Sequence, residues 1–592
     1  MVIISLVANN ILDKQRALVL QGGAALGAYE AGVYRVFYDW IYKEIKDKEN
    51  VFDILAGTSI GSINSAILLS YVLKRKKDIE NISNKESWKG SAEMLENFWT
   101  EDTSTLTTVE SSLFEHWWNF TYGLVPNAAT TEAARRHYSV KQLKAYGAIN
   151  VFSKPSFTPD TKFFDSLLDN PVLSWAHYSN EPLKNIIREK YWNDKEHPIK
   201  TKSEDVQPRL LVVSIDVETG TTVTFDSYPK IKEIDGNIVK DKGKPVLEWK
   251  TEYGDDKSIT IEYPKGIKLD HVMASSSVPI HYDYTEIKSS TTKNSNDNSN
   301  TRYFWDGQYL SNTPLRELIN AHQSYWVKKA EAEIGLEALH SKIVSVGEQN
   351  SQIVPNLDVY IANVWPTKET PVPQDHDGQL NRKNDIMFHD KTKYEEKVAN
   401  LVNDYADLAI KLIDIVKNNP VNEKKQKEIE NNLRVLLSKP GKSKSRGDKP
   451  RKYLELLTGE FTIEKIMRVE LTNNENDKKD SISDKWADYS KRTISSLLEQ
   501  GKRDAFKMLV GNLIKIVDSL QEPNTSMYPS DEIINKLNTH LKDTDELLKV
   551  YEPLNYDFIV GRLWAFIDLV KELESKGEKM GLTPRQASLL LP

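Results

Sequence analysis

Cysteine is absent from the 592 residues. That excludes a disulfide scaffold, a thiol nucleophile and thiolate metal sites, while leaving the compartment open. An excess of positive charge is missing too. The chain has 79 Lys and Arg against 86 Asp and Glu, a formal net charge of −7. The basic surface needed to grip a nucleic-acid backbone is therefore lacking over the chain as a whole. Long apolar runs are scarce. The start, MVIISLVANNILDKQ, has a short apolar stretch at 2–8 with no basic region before it, a poor secretory signal. The most apolar longer stretch, Ile54 to Leu73, is interrupted by Gly57, Ser59, Gly61, Ser62, Asn64 and Ser65, and makes a poor membrane span. No loop carries a calcium-ligand spacing, so no metal or other cofactor is expected. The expected location is the cytoplasm, peripheral to a membrane at most.

What is present divides the chain. Its length calls for two to four domains at ~100–200 residues each. The first 350 positions hold an α/β pattern. Residues 17–21 (ALVLQ) read as a buried strand, followed by Gly22-Gly23. Val33, Val36, Phe37, Trp40 and Ile41 then recur at helical spacing. Residues 51–56 (VFDILA) read as a second strand, followed by Gly57-Thr58-Ser59-Ile60-Gly61 and an apolar helix to Leu73. Strand, loop, helix, strand, turn, helix is a βαβ unit, which calls for a largely parallel sheet. Residues 209–217 and TVTF after them read as a hairpin, and 357–364 as a late strand. The aromatics at 113–122 and 163–178 read as core, with a lipid-facing lid as the alternative. Ser289 to Asn300 is a polar surface loop.

After residue 390 the character changes. Val398, Leu401, Tyr405, Leu408, Leu412 and Ile415 alternate at spacings of three and four, which predicts a long amphipathic helix packed on its domain, with a dimer coiled coil the less favoured reading at this length. Residues 421–452 hold eleven Lys/Arg against four Asp/Glu and read as a solvated linker; an anionic-membrane contact is the minority reading. The remainder follows a helical pattern.

Three elements carry chemistry. Gly57-Xaa-Ser59-Xaa-Gly61 sits between a strand and a helix. A nucleophilic serine on such an elbow needs small neighbours, and the helix start favours developing negative charge. Gln21-Gly22-Gly23-Ala24-Ala25-Leu26-Gly27 also joins strand to helix. Its backbone N–H groups suit an oxyanion hole. A dinucleotide fingerprint is disfavoured, because the next strand leads into the serine elbow rather than a ribose-binding acid. No Lys-Ser/Thr follows the glycines, so a P-loop is excluded. In Tyr303-Phe304-Trp305-Asp306-Gly307-Gln308 an acid ends an aromatic run at a glycine turn. Alone, Asp-Gly is most often a solvated turn.

Taken together, LVLQGGAALGAYEAGVY (18–34), LAGTSIGSINSAI (55–67), ASSSVPIHYDYTEI (274–287) and FWDGQYLSNTPL (304–315) resemble the patatin-like phospholipases, closely a bacterial-type branch. WAHYSNEPLKNII (175–187), the strand at 209–217 and DGQLNRKNDIMFHDKT (377–392) are weaker echoes, so the likeness spans roughly 16–420. The resemblance implies a three-layer α/β fold around a mostly parallel sheet, followed by a helical C-terminal region. It implies Ser59 as nucleophile and Asp306 as its sole partner, without histidine. Gly22, Gly23 and Ala24 would line the oxyanion hole, Gly57 and Gly61 shape the elbow, and Gly27 and Gly307 support the motifs. Three departures stand out: Ala24 in a glycine triplet, Gln308 where Gly or Ala is usual, and Leu26 where relatives carry Arg or Lys.

The expected division is an N-terminal extension (1–15), a patatin-like catalytic domain (16–330), an extension ending in the amphipathic helix (331–420), a basic linker (421–452) and the helical region (453–592). The expected activity is hydrolysis of a lipid or acyl ester, with burial beside Trp305 or Phe304 raising the basicity of Asp306. An acyltransferase on the same dyad and a catalytically weak lipid binder are the alternatives. A Ser-His-Asp triad is the rival mechanism; His322, His340, His376, His389 and His540 follow Asp306, and His281 is read as packing, with lining the site as the alternative. The sequence leaves the oligomeric state open.

Overall fold

A computed structural model describes residues 14–107, 131–153, 178–234, 237–254, 257–291, 301–335, 353–368, 372–417, 423–444, 450–453, 457, 459–471, 482–519, 531–549 and 554–575. The aromatics at 113–122, nearly all of those at 163–178, His340 and most of the Ser289–Asn300 loop lie outside the described residues.

The centre is an eight-stranded sheet of β1 (Lys14–Leu20), β2 (Ile54–Thr58), β3 (Arg209–Asp216), β4 (Thr221–Asp226), β5 (Thr285–Lys288), β6 (Thr301–Asp306), β7 (Asn356–Asn363) and β8 (Ile463–Glu470). The order is β5-β6-β3-β2-β1-β7-β8, with β4 also paired to β3. Strands β3, β2, β1, β7 and β8 run parallel, each to the next. The β3–β4, β3–β6 and β5–β6 pairings are antiparallel.

Alternation along the strands makes two cores, one per face. Leu18, Leu20, Leu55, Leu210 and Val212 share one with α1 (Gly27–Tyr42) and α2 (Ile60–Asp78). Ala17, Val19, Ile54, Ala56, Leu211 and Val359 share the other with Leu315, Leu318 and Trp326. The helix α3 (Leu269–Ala274) leads into the segment beside the elbow, and Leu315, Leu318 and Trp326 belong to α4 (Leu315–Ile334). The result is a three-layer fold. Burying aromatics such as Phe37, Phe52 and Tyr360 in the first core contributes ~1.5–3 kcal/mol each relative to exposure.

The C-terminal third is mostly helical: α5 (Lys393–Lys417), α6 (Glu423–Leu437), α7 (Lys491–Ser519), α8 (Asp531–Lys549) and α9 (Tyr556–Ser575). Two findings differ from the sequence reading. Ile463–Glu470, within a region of helical pattern, is the eighth strand of the central sheet. The basic stretch 421–452 is not simply a solvated linker, since Leu433 and Leu437 on α6 pack with Ile413 of α5. Helix α7 crosses α1 so closely that Gly32 meets the Leu498 carbonyl and Gly501 the Tyr29 carbonyl. Trp564 of α9 stacks on Trp40 at 5.4 Å.

Candidate active site

The sheet register explains how two distant motifs meet. Strand β2 runs parallel along β3 from Arg209 to Val213. Strand β6 runs antiparallel along β3 from Asp216 to Ser214. Strand β4 pairs with β3 from Leu211 to Asp216 and so takes the opposite edge. Hence β2 and β6 share one edge, approach head-on, and stop beside adjacent residues, Thr58 at Val213 and Asp306 at Ser214. The next residue after Thr58 is Ser59.

Ser59 has φ 54° and ψ −125°, a backbone conformation L side chains rarely adopt. Three contacts hold it. Its N–H donates to Ser275 Oγ at 2.8 Å. Its carbonyl accepts the N–H groups of Ser62 and Ile63 in the first turn of α2. Gly57 and Gly61 let the chain pass over itself, because a side chain on Gly57 would collide with the Gly61 backbone and one on Gly61 with the Leu20 carbonyl. Ser59 Oγ donates to Asp306 Oδ2 at 2.5 Å. Asp306 Oδ1 accepts the Gln308 N–H at 2.9 Å, so residue 308 serves the acid through its backbone.

Asp306 is fully buried. Burial pushes its carboxyl up to about 7, against the lowering pull of the Ser59 and Gln308 hydrogen bonds. Trp305 does not supply that burial. Neighbouring strand residues face opposite ways, and Trp305 stacks instead on Tyr284. Phe304 packs on Phe225.

The glycine loop comes up against the serine. A side chain on Gly22 would stand 2.9 Å from Ser59 Cβ and 2.8 Å from Asn312 Oδ1. Gly27 faces Trp99 and Ile60, and Gly307 faces the Val213 carbonyl. Gly22 does not fit the expected set of oxyanion donors, because its N–H donates to Asn312 Oδ1 at 2.8 Å. The N–H groups of Gly23 and Ala24 have no protein partner among the described residues. Neither has that of Ile60, at the start of α2. Three N–H groups at two helix starts are thus without a protein partner among the described residues. Ala24 does take the φ > 0 conformation, at 49°. Leu26 is buried in the core.

Sequence reasoning missed the supports of this loop. Asn312 also donates to the Phe388 carbonyl at 2.6 Å. Gln21 binds Thr313 Oγ1 and the Val364 N–H through its side chain. Trp365 Nε1 donates to the Gly22 carbonyl at 2.6 Å. Buried Glu30 accepts from Asn64 at 2.9 Å. Asn312 and Ser275 stand inside the quoted stretches 304–315 and 274–287, but their spacing alone does not disclose what they hold.

Among the described residues no histidine hydrogen-bonds Ser59 or Asp306. His322 is buried against the Pro355 carbonyl, His389 binds the Asp385 and Ile386 carbonyls, His540 meets the Arg562 carbonyl and His376 is exposed. His281 packs on Trp486 at 4.8 Å.

A serine at a strand-to-helix elbow, beside a glycine loop in an α/β sheet, is the arrangement found among ester-cleaving enzymes. The sequence model of the patatin-like phospholipases matches residues 18–319, just over half of the 592 residues. The chain belongs to the patatin-like phospholipase family, a family of lipid acyl hydrolases. No curated protein matches it.

Proposed function

We propose that this protein hydrolyses carboxylic esters of lipids with Ser59 as nucleophile and Asp306 as the only proton acceptor. The observation that carries the reading is the 2.5 Å hydrogen bond from Ser59 Oγ to Asp306 Oδ2. A carboxylate held near neutrality is a far better base for a hydroxyl than an ordinary aspartate near 3.9.

Asp306 takes the Ser59 proton as Oγ attacks the ester carbonyl. The oxyanion is held by the N–H groups of Gly23 and Ala24, joined by that of Ile60. The tetrahedral intermediate collapses, Asp306 gives its proton to the leaving alcohol, and an acyl-Ser59 ester remains. Water, deprotonated by Asp306, attacks this ester; Ser59 recovers its proton and the fatty acid leaves. The Ala24 and Gln308 departures are compatible with this scheme, since both residues act through backbone N–H groups.

An apolar substrate suits the surroundings. Ile280 is 72% exposed, and Tyr309 and Leu310, directly after the acid motif, are 44% and 53% exposed. Among the described residues no helix is long and apolar enough to cross a membrane. The lipid is drawn from a membrane or micelle surface that the protein touches peripherally.

The test is hydrolysis of a p-nitrophenyl acyl ester series by wild type, Ser59→Ala and Asp306→Asn, each checked for folding by circular dichroism. Both variants should lose at least ~10⁴-fold in kcat. Retention of most activity by folded Asp306→Asn would sink the dyad.

A further inference from the structure

Helix α5 has two apolar faces, and only one is covered. Ala406 is buried, Ala399 packs against the core beneath α4, and Ile413 packs on α6. The second face carries Val398, Leu401, Tyr405, Leu408, Leu412 and Ile415, which are 40–65% exposed. The sequence pattern had predicted this stripe to be packed. Its 3-4-3-4-3 spacing is that of heptad positions a and d, flanked at e by Val402 and Val416, which are 46% and 43% exposed. A helix lying on an anionic bilayer is rich in Lys and Arg on its polar side. The span Lys393–Lys417 has four lysines against five acids.

We propose that the exposed stripe of α5 is the seam of an antiparallel coiled-coil homodimer. The argument rests on self-complementarity. In an antiparallel pair, position a of one helix packs against d of the other. Setting Val398 against Ile415 of the second copy also sets Tyr405 against Leu408 and Leu412 against Leu401. The six residues thus satisfy one another across a two-fold axis, as an isologous interface requires. That register also places Asp404, at g, opposite Lys411, at g, of the second copy, once on each side of the axis. The uncharged Val402 and Ala409, at e, face each other. The parallel alternative pairs Asp404 with Ala409 and Lys411 with Val416, gaining no opposite-charge pair, and stacks Tyr405 on its own symmetry mate. Because α5 is already held helical by the body and α6, association need not supply the cost of forming the helix, which limits short isolated coiled coils.

The experiment uses the full chain at micromolar concentration in sedimentation equilibrium. Wild type should run at twice the 67.7 kDa chain mass. Leu408→Glu should be monomeric, with ester hydrolysis unchanged and a melting temperature that no longer depends on protein concentration. Asp404→Lys should weaken dimerisation about tenfold or more, and Asp404→Lys with Lys411→Asp should restore it. Because the chain has no cysteine, orientation can be read directly. An oxidised mixture of Val398→Cys and Ile415→Cys chains should cross-link, and Val398→Cys alone should not. Efficient cross-linking of Val398→Cys alone would reject the antiparallel register. A monomeric wild type would reject the dimer. If that monomer also bound phosphatidylglycerol vesicles in a Leu408-dependent way, the stripe would belong to the bilayer instead.

Discussion

Two strand-to-helix turns lie side by side in this molecule, leaving parallel strands β1 and β2 that pair Leu20 with Gly57. Each bends through a non-glycine residue of positive φ, Ala24 at 49° and Ser59 at 54°. They are held in different ways. The serine elbow is closed chiefly by backbone on backbone, with Gly61 against the Leu20 carbonyl and Gly57 against the Gly61 backbone, and Ser275 Oγ adds one side-chain contact. The glycine loop is tied down by side chains from remote segments: Asn312, Thr313 and Trp365. Backbone contacts have no means of yielding, whereas side chains can shift or be replaced. The elbow should therefore be intolerant and the loop adjustable, and the contrast can be pressed experimentally.

The largest difference is expected from matched alanine substitutions. Gly61→Ala drives a methyl into the Leu20 carbonyl and should cost at least ~3 kcal/mol or prevent folding. Gly23→Ala meets the Val364 Cγ2 methyl at 2.8 Å, a side-chain tip, and should cost about 1–2 kcal/mol. Equal losses of melting temperature would erase the distinction.

Next comes the acid that the elbow addresses. Asp306 sits at about 7 when folded and near 3.9 when unfolded. The stability it contributes is therefore full below pH ~4 and is lost as pH rises through about 7, up to ~4 kcal/mol. Asp306→Asn should melt above wild type at pH 8 and lose that advantage at pH 4. In the same window kcat/KM of wild type should climb about tenfold per pH unit and level off above about 7. A flat profile from pH 5 to 8 would mean that Asp306 is not the base.

Asn312→Ala probes the loop's tether. The Gly22 N–H and Phe388 carbonyl lose their partner, which should cost about 1–3 kcal/mol. The loosened donors should lower kcat roughly 10–100-fold while leaving KM within about twofold. A rise in KM alone would place Asn312 in substrate binding instead. The smallest effect belongs to Ala24→Gly. It relieves a left-handed alanine but frees the unfolded chain, for a net gain of at most about 1 kcal/mol and unchanged kcat. Calorimetry resolves that gain.

How much of this was readable beforehand varies by element. Strand β1, strand β2, the βαβ reading and the β3–β4 hairpin follow from apolar runs bounded by turn residues. The long helix at Lys393–Lys417 follows from its spacing. Strand β8 was hidden. Its buried positions include Lys465, whose polarity breaks the alternation a sheet strand would show, and it lies among helical patterns. The stripe on α5 was visible, but not whether it is covered, because amphipathicity says only that a face seeks a partner. The Gly22–Asn312 bond was likewise out of reach, since any of three adjacent N–H groups looks equally available in a linear chain.

By itself the sequence determined the two turns and the small residues that shape them. Small residues around Ser59 and through Gly22–Gly23 are demands of local backbone geometry, and local geometry is written in adjacent residues. Only the tertiary structure decided that Asp306 meets Ser59 across 247 positions, that burial raises its carboxyl to about 7, and that the Gly22 N–H is taken by Asn312. Those outcomes depend on β2 and β6 ending head-on along one edge of β3, and on what is buried there. Sheet register and burial are properties of the whole packed molecule, which no single stretch of chain encodes.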